Sequence, residues 1–371
     1  MKDYLFNASL STNAQRFSGL DLVRFVAALM VMLYHFTATG IGNTLHPDRH
    51  NLIATSDLLP WLTPVTKFGF LGVNLFFLIS GFIIFASAAN RTAIDFAVYR
   101  WIRLFPTYWT SIVFTVLVLF FFLGASLNLP LKDVIINLTM IQSYFDVKDL
   151  DPVYWTLLVE LHFYFLIFLL LLFNQLKAWR FWVSLWMVVA WVFYFTDQPF
   201  FYAYMINTQY AGYFIGGMVI YSLVKWKIDS WSLIMIVLAY LLCCVHLPQQ
   251  IQLYNFGKTD IVHNIVGYFI VALFFAILYV IALGKLKFRA TSTLITMGAL
   301  TYPLYLTHHQ LGRYMLDALA PNVNPYVNIA LAITVSFVIA WCIVQLIDLK
   351  LTPAIKRVYV SKFRNKGTNR L

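Results

Sequence analysis

The chain has 371 residues, of which 61% are apolar and 18% aromatic, while only 11% are charged. A water-soluble domain cannot bury that much apolar surface, so this composition excludes the soluble classes and indicates a polytopic membrane protein. The net charge of +11 does not indicate a nucleic-acid partner, because the basic residues fall in short loops between apolar runs and in the C-terminal tail.

Apolar runs of about 20 residues recur along the chain, each long enough to cross about 30 Å of hydrocarbon. We predict ten spans, at 20–40, 68–89, 104–124, 154–174, 181–196, 206–224, 231–247, 262–284, 294–316 and 327–349. The run 134–145 is too short to cross and is predicted to be an interfacial or re-entrant helix. The predicted class is an all-α polytopic membrane protein with about ten transmembrane helices and this one short helix.

The basic residues set the orientation of these spans. The side that holds both termini carries 19 Lys and Arg, and the opposite side carries 6. The positive-inside rule therefore predicts cytoplasmic termini: a segment at 1–19, a membrane domain at 20–350 and a basic tail at 351–371. The outer loops carry most of the aspartates, Asp151 among them. Three cysteines lie in apolar spans without a metal-ligand pattern, so no metal site is predicted.

The first span carries three ionisable residues, which are costly in a membrane and usually functional. Asp21 and Arg24 lie near its start and His35 near its far end. The eleven residues from Arg24 to His35 cover about 16 Å and three turns, so both side chains lie on nearly the same face. This spacing suggests a long ligand lying along the helix, although a snorkelling arginine and a hydrogen-bonded interior histidine would also account for the two residues.

Counting along the spans predicts that His35, Glu160 and His308 lie in one layer of the outer half of the bilayer. A carboxylate and two imidazoles in a low-dielectric layer suit acid–base chemistry, although such a cluster could also only hold helices together. On the cytoplasmic side, Arg100 and Arg103 could share a helix face and bind phosphate. The positive-inside rule alone could also explain two arginines at this end of a span.

Five motifs taken together resemble the acyltransferase-3 family of integral membrane O-acyltransferases over nearly the whole chain. They are GLDLVRFVAALMVMLYHF, FFLISGF, RxxRLFPTYW, WTLLVELHFY and YPLYLTHH. The resemblance implies a cytoplasmic acyl-coenzyme A donor, with acetyl-CoA as the default, and an acceptor, often a glycan, modified at or beyond the outer face. It implies that Arg24 and His35 are the essential pair of the first span, that Arg100 and Arg103 are associated with the donor, and that Glu160 is functional.

These assignments predict a mechanism. Arg100, Arg103 and Arg24, with Ser80 of FFLISGF beside them, hold the donor. His35 serves as general base, oriented by Glu160 as in a Ser-His-Asp triad, or as the carrier of a transient acyl group. Asp21 pairs with one of the arginines.

The acceptor is expected to be an exported or cell-surface polysaccharide, or its lipid-linked precursor, in a bacterial inner membrane, with polysaccharide-biosynthesis proteins as possible partners. Trp155, Tyr164 and His308 are the predicted acceptor contacts, the first two as stacking platforms among several aromatics that include Tyr202 and Tyr204. Membrane-interface belts would account for most of these rings without a ligand. The rival function is a proton-coupled transporter or flippase of a lipid-linked sugar or anion, with the buried His, Glu and Arg as its relay.

Overall fold

A computed structural model describes residues 18–38, 61–89, 91–196, 205–224, 226–255, 260–286, 291–319 and 322–361. Helices account for most of these residues, and no described residue lies in a β-strand. Eight helical stretches in this part of the chain are long and apolar enough to cross a membrane. The predicted class, an all-α polytopic membrane protein, is confirmed.

The α-helices are numbered here in chain order. They are α1 (Ser18–Thr37), α2 (Thr63–Thr66), α3 (Leu71–Ala88), α4 (Ala93–Leu123), α5 (Leu131–Asn137), α6 (Trp155–Leu172), α7 (Trp179–Phe195), α8 (Ala211–Ser222), α9 (Ser230–Tyr254), α10 (Ile261–Ala282), α11 (Ser292–Leu319), α12 (Pro325–Ile343) and α13 (Thr352–Tyr359). A π-helical segment, Val344–Leu351, joins α12 to α13. Short 3-10 turns precede or follow several of them.

Two of the ten predicted spans are not among the eight. Helix α8 has only 12 residues, and α11 has 28 but is more polar. Both lie inside the bundle, since every residue of α8 is buried and so are residues 301–312 of α11. A helix surrounded by protein needs less apolar surface than one that faces lipid, which explains why counting apolar runs describes these two least well.

The two largest differences between predicted and observed helix boundaries are at α4 and at the last span. The third span was predicted to start at residue 104, but α4 begins at Ala93, where the Thr92 side chain accepts a hydrogen bond from the Asp95 N–H and caps the helix. Arg100 and Arg103 therefore lie within a helix. The last span was predicted to end at 349, but helical structure continues to Tyr359. The rest of the predicted tail, 362–371, lies outside the described residues.

The predicted short helix at 134–145 corresponds to α5 and a 3-10 turn, Gln142–Phe145. Seven residues of α-helix rise only about 10 Å, so this segment is too short to cross.

Helix α1 packs on α3 along one side and on α11 along the other. Glycines allow the close approach of these helices: a Cβ on Gly72 of α3 would lie 2.4 Å from the Ala27 carbonyl oxygen of α1. A Cβ on Gly217 of α8 would lie 2.1 Å from the Leu78 carbonyl oxygen of α3. Such small-residue contacts are the usual means of tight packing between membrane helices. They place the polar face of α1 inside the bundle, next to α11.

Candidate active site

The polar face of α1 has two ends, and each end meets residues from other helices. Asp21 and Arg24 lie at the first end, where Asp21 packs against Gly298 of α11. A Cβ at Gly298 would approach Asp21 Oδ1 to 2.6 Å, so a glycine at this position leaves room for the carboxylate. Asp21 and Arg24 attract each other, which is one of the pairings predicted for Asp21. His35 lies three turns away, at the second end.

Three guanidinium groups gather at the first end; we call Arg24, Arg100 and Arg103 the arginine cluster. Arg24 and Arg103 are close enough to repel each other. Arg103 Nη1 lies 3.7 Å from Asp348 Oδ2 of the π-helical segment, and Asp348 Oδ1 accepts a hydrogen bond of 2.7 Å from the Thr107 hydroxyl. Asp348 was not identified from the sequence. Asp348 lies in the π-helical segment, and π-helical turns are frequent at functional sites. This feature is visible only in the structure.

Glu160 of α6 lies beside the arginine cluster. Its Oε1 accepts a hydrogen bond of 2.6 Å from the Ser80 hydroxyl, and its carboxylate attracts Arg24. The Tyr164 hydroxyl, one turn further along α6, interacts with Glu160 and with Arg100. The Arg100 guanidinium also lies over the Tyr164 ring, with its carbon 5.8 Å from the ring centroid. Ser80 and Arg100, both predicted to hold the donor, thus belong to one connected group.

This location changes one prediction. Glu160 was expected in one layer with His35 and His308, but it accepts a hydrogen bond from Ser80, attracts Arg24 and lies near Tyr302 of α11, which is six residues before His308. Six residues rise about 9 Å along a helix, so Glu160 lies nearer to Arg24 than counting suggested. The Tyr164 ring lies against Arg100, and its predicted stacking on a sugar stays a prediction. Trp155 is nine residues away, about 13 Å along α6.

Three imidazoles meet at the second end of the polar face; we call His35, His308 and His309 the histidine cluster. The His35 ring centroid lies 5.3 Å from that of His308 and 4.5 Å from that of His309, the latter in an edge-to-face arrangement. The predicted proximity of His35 and His308 is therefore present. His308 is fully buried, and its Nδ1 donates to the backbone carbonyls of Leu304 and Tyr305, which fixes its ring.

His309 and Asp151 are the main residues that the sequence analysis missed. His309 Nδ1 lies 3.0 Å from Asp151 Oδ1, and the Asp151 side chain is completely buried. Asp151 precedes the 3-10 turn Pro152–Tyr154 and was counted as a loop acid. The doubled histidine in YLTHHQ was visible in the sequence, but no spacing rule connects it to an aspartate about 160 residues earlier.

Trp155 lies in a group of aromatic rings, 5.5 Å from Tyr210 and 6.3 Å from Phe77 between centroids. It is only partly buried, so some of its surface is available to a ligand. Tyr202 and Tyr204, which were also considered for sugar stacking, lie outside the described residues. Within the described residues, no three His, Cys, Asp or Glu side chains are arranged to hold a metal ion.

A family model described as an acyltransferase domain, of the acyltransferase-3 type, matches residues 17–345. This match covers nearly the whole chain, including both clusters. Neither a curated protein nor a solved structure matches the chain.

Proposed function

The chain belongs to the acyltransferase-3 family of membrane proteins, and on that basis we propose that it moves an acyl group from cytoplasmic acyl-coenzyme A to a hydroxyl of an exported or cell-surface polysaccharide, or of its lipid-linked precursor. Acetyl is the expected acyl group. The observation that carries the proposal is that one face of α1 meets a group of arginines at one end and a group of histidines at the other.

The arginine cluster suits the donor's phosphates. Guanidinium groups form forked, charge-assisted hydrogen bonds with phosphate oxygens, and Arg100 and Arg103 leave part of their surface exposed. The excess of basic residues on the side of the termini predicts that this end faces the cytoplasm, where acyl-coenzyme A is made. Arg24 then holds the donor from α1, while Glu160 and Ser80 keep Arg24 and its neighbours in place.

From this position the extended arm of the donor runs along α1 toward His35, over the roughly 16 Å between Arg24 and His35. The histidine cluster receives the thioester, and the acceptor hydroxyl attacks its carbonyl carbon there. The partly exposed Trp155 is the aromatic surface proposed for the sugar ring. His308, fixed by two backbone carbonyls, is the third predicted acceptor contact.

The test is transfer itself. Purified protein in lipid nanodiscs is incubated with radiolabelled acetyl-coenzyme A and a panel of bacterial polysaccharides and lipid-linked sugars. Label is expected in the glycan for wild-type protein and not for the His35→Ala variant, with both proteins equally folded. A transporter or flippase would leave every glycan unlabelled. Replacing the donor by succinyl-coenzyme A in the same assay identifies the acyl group.

A further inference from the structure

The histidine cluster cannot hold three positive charges. The three ring centroids lie 4.5 to 6.3 Å from one another, and Arg313, one turn beyond His309 on α11, adds a permanent positive charge that acts on His35. Like charges at such distances in a poorly solvated site repel strongly. A proton released in this cluster therefore settles on the imidazole with the best stabilising partner.

His309 has that partner. The Asp151 carboxylate lies 3.0 Å from His309 Nδ1, and it also accepts hydrogen bonds from the backbone N–H groups of Gln310 and Val153. These contacts fix the carboxylate in an entirely buried position. At 3.0 Å the two atoms are within ion-pair distance, but His309 Nδ1 makes no aligned hydrogen bond, so the carboxylate acts on this imidazole through its charge.

His308 is arranged differently. Its Nδ1 donates to two neutral backbone carbonyls, which orient the ring but stabilise a positive charge less than a carboxylate does. Its Nε2 is buried and has no hydrogen-bond partner. The one described contact of an aspartate with this cluster is thus made by His309, through a residue that comes from a different part of the chain.

We propose that His309, held by the positioning residue Asp151, is the base that takes the proton of the acceptor hydroxyl, which leaves His35 to contact the thioester. This inference rests on the proposed function. The acceptor oxygen forms a bond with the acyl carbon, the carbon–sulfur bond breaks, and the proton moves from the acceptor oxygen to the His309 imidazole. His309 then returns that proton to the coenzyme A thiolate, so the enzyme ends each cycle unchanged.

The Asp151→Asn variant tests the role of the charge, because asparagine keeps the shape and one oxygen for the backbone N–H groups. We expect its kcat for transfer to fall about 10- to 100-fold while the donor KM stays within twofold. The change removes the charge beside His309 and leaves His35, His308 and Arg313 unaltered.

Two further variants complete the experiment. His309→Gln should lower kcat at least 100-fold. Asp260→Asn is the matched control: it alters another Asp–His contact, between Asp260 Oδ1 and His263 Nδ1 at 2.6 Å, whose residues belong to neither cluster. It should leave kcat unchanged.

Wild-type kcat in both Asp151→Asn and His309→Gln would overturn the inference. So would a loss of rate in Asp151→Asn together with a donor KM raised by more than twofold, because a purely structural role disturbs donor binding and turnover together. If Asp151→Asn does not fold, His309→Gln still decides, since the described contacts of its side chain fix no backbone group. Transfer that depends on His35 but not on His309 would leave the proposed function intact, whereas no transfer by the wild type would remove both.

Discussion

The ion pair between Arg103 and Asp348 allows the binding and structural roles of the arginine cluster to be separated. Asp348 is almost fully buried, with 8% of its side chain exposed, whereas Arg103 is 35% exposed, and the closest approach is 3.7 Å. Arg103→Ala should therefore have two effects. It removes a phosphate contact from the donor, and it leaves a buried carboxylate with one neutral hydrogen bond, from Thr107.

The two effects have different sizes. A charge-assisted hydrogen bond contributes about 1.5–3 kcal/mol, so we expect the donor KM to rise about 10- to 150-fold. Breaking a buried ion pair costs about 3–5 kcal/mol, but the partial exposure of Arg103 and the long contact reduce this to about 1–3 kcal/mol of stability. Donor KM is measured by transfer of radiolabelled acetyl groups, and stability by thermal unfolding of the detergent-solubilised protein.

The double variant Arg103→Ala plus Asp348→Asn separates these effects. Removing both charges should restore stability to within about 1 kcal/mol of wild type, because no buried charge is left without a partner. The donor KM should remain as high as in Arg103→Ala. Recovery of the donor KM in the double variant would refute the reasoning, since Arg103 would then act through the fold. An unchanged KM in Arg103→Ala alone would refute the assignment of Arg103 to the donor.

Three other predictions each concern a single residue. His35→Ala should abolish transfer with little loss of folded protein, as judged by gel filtration and by donor binding. Gly217→Ala should destabilise the bundle by about 1–3 kcal/mol in thermal unfolding, because its Cβ would lie 2.1 Å from the Leu78 carbonyl oxygen. Burial raises the pKa of Asp149, in the loop before α6, from its usual 3.8 to about 6. The folded state then binds more protons than the unfolded state between these values, so stability falls as the pH rises from about 4 to 6 and stays about 3 kcal/mol lower above that. Asp149→Asn should therefore be more stable than wild type at pH 7.5, and the difference should vanish below pH 4.

The helices could be predicted from the sequence because a span of about 20 apolar residues is a local property. The polar residues on α1 were equally visible, since charged groups are conspicuous in an apolar run. The start of α4 was missed because Arg100 and Arg103 lie in helical turns that extend beyond the apolar stretch. Where a helix begins depends on its cap at Thr92, which a hydropathy pattern does not register.

The partners of the histidine cluster could not be predicted in the same way. The position of Asp151 depends on hydrogen bonds to the backbone of α11, at Gln310, and on its capping of the turn at Val153. The first is a contact between distant parts of the chain and the second is a contact within a turn. Neither follows from a periodic pattern in the sequence. The misplacement of Glu160 has a related cause: counting residues from span ends assumes that helices cross at equal heights, while side-chain contacts with Ser80 and Arg24 determine its actual neighbours.

The charge balance of the arginine cluster explains why Arg103 is the position at which donor binding is best tested. Three carboxylates, those of Asp21, Glu160 and Asp348, lie against its three guanidinium groups, so the cluster is close to neutral without a ligand. Phosphates of a donor must therefore exchange with carboxylates rather than fill an open positive site. The Asp348 contact is long, at 3.7 Å, and Asp348 keeps its 2.7 Å hydrogen bond to Thr107 when Arg103 turns away. Arg103 should therefore leave its carboxylate for phosphate at little cost, and Asp348→Asn alone should lower the donor KM.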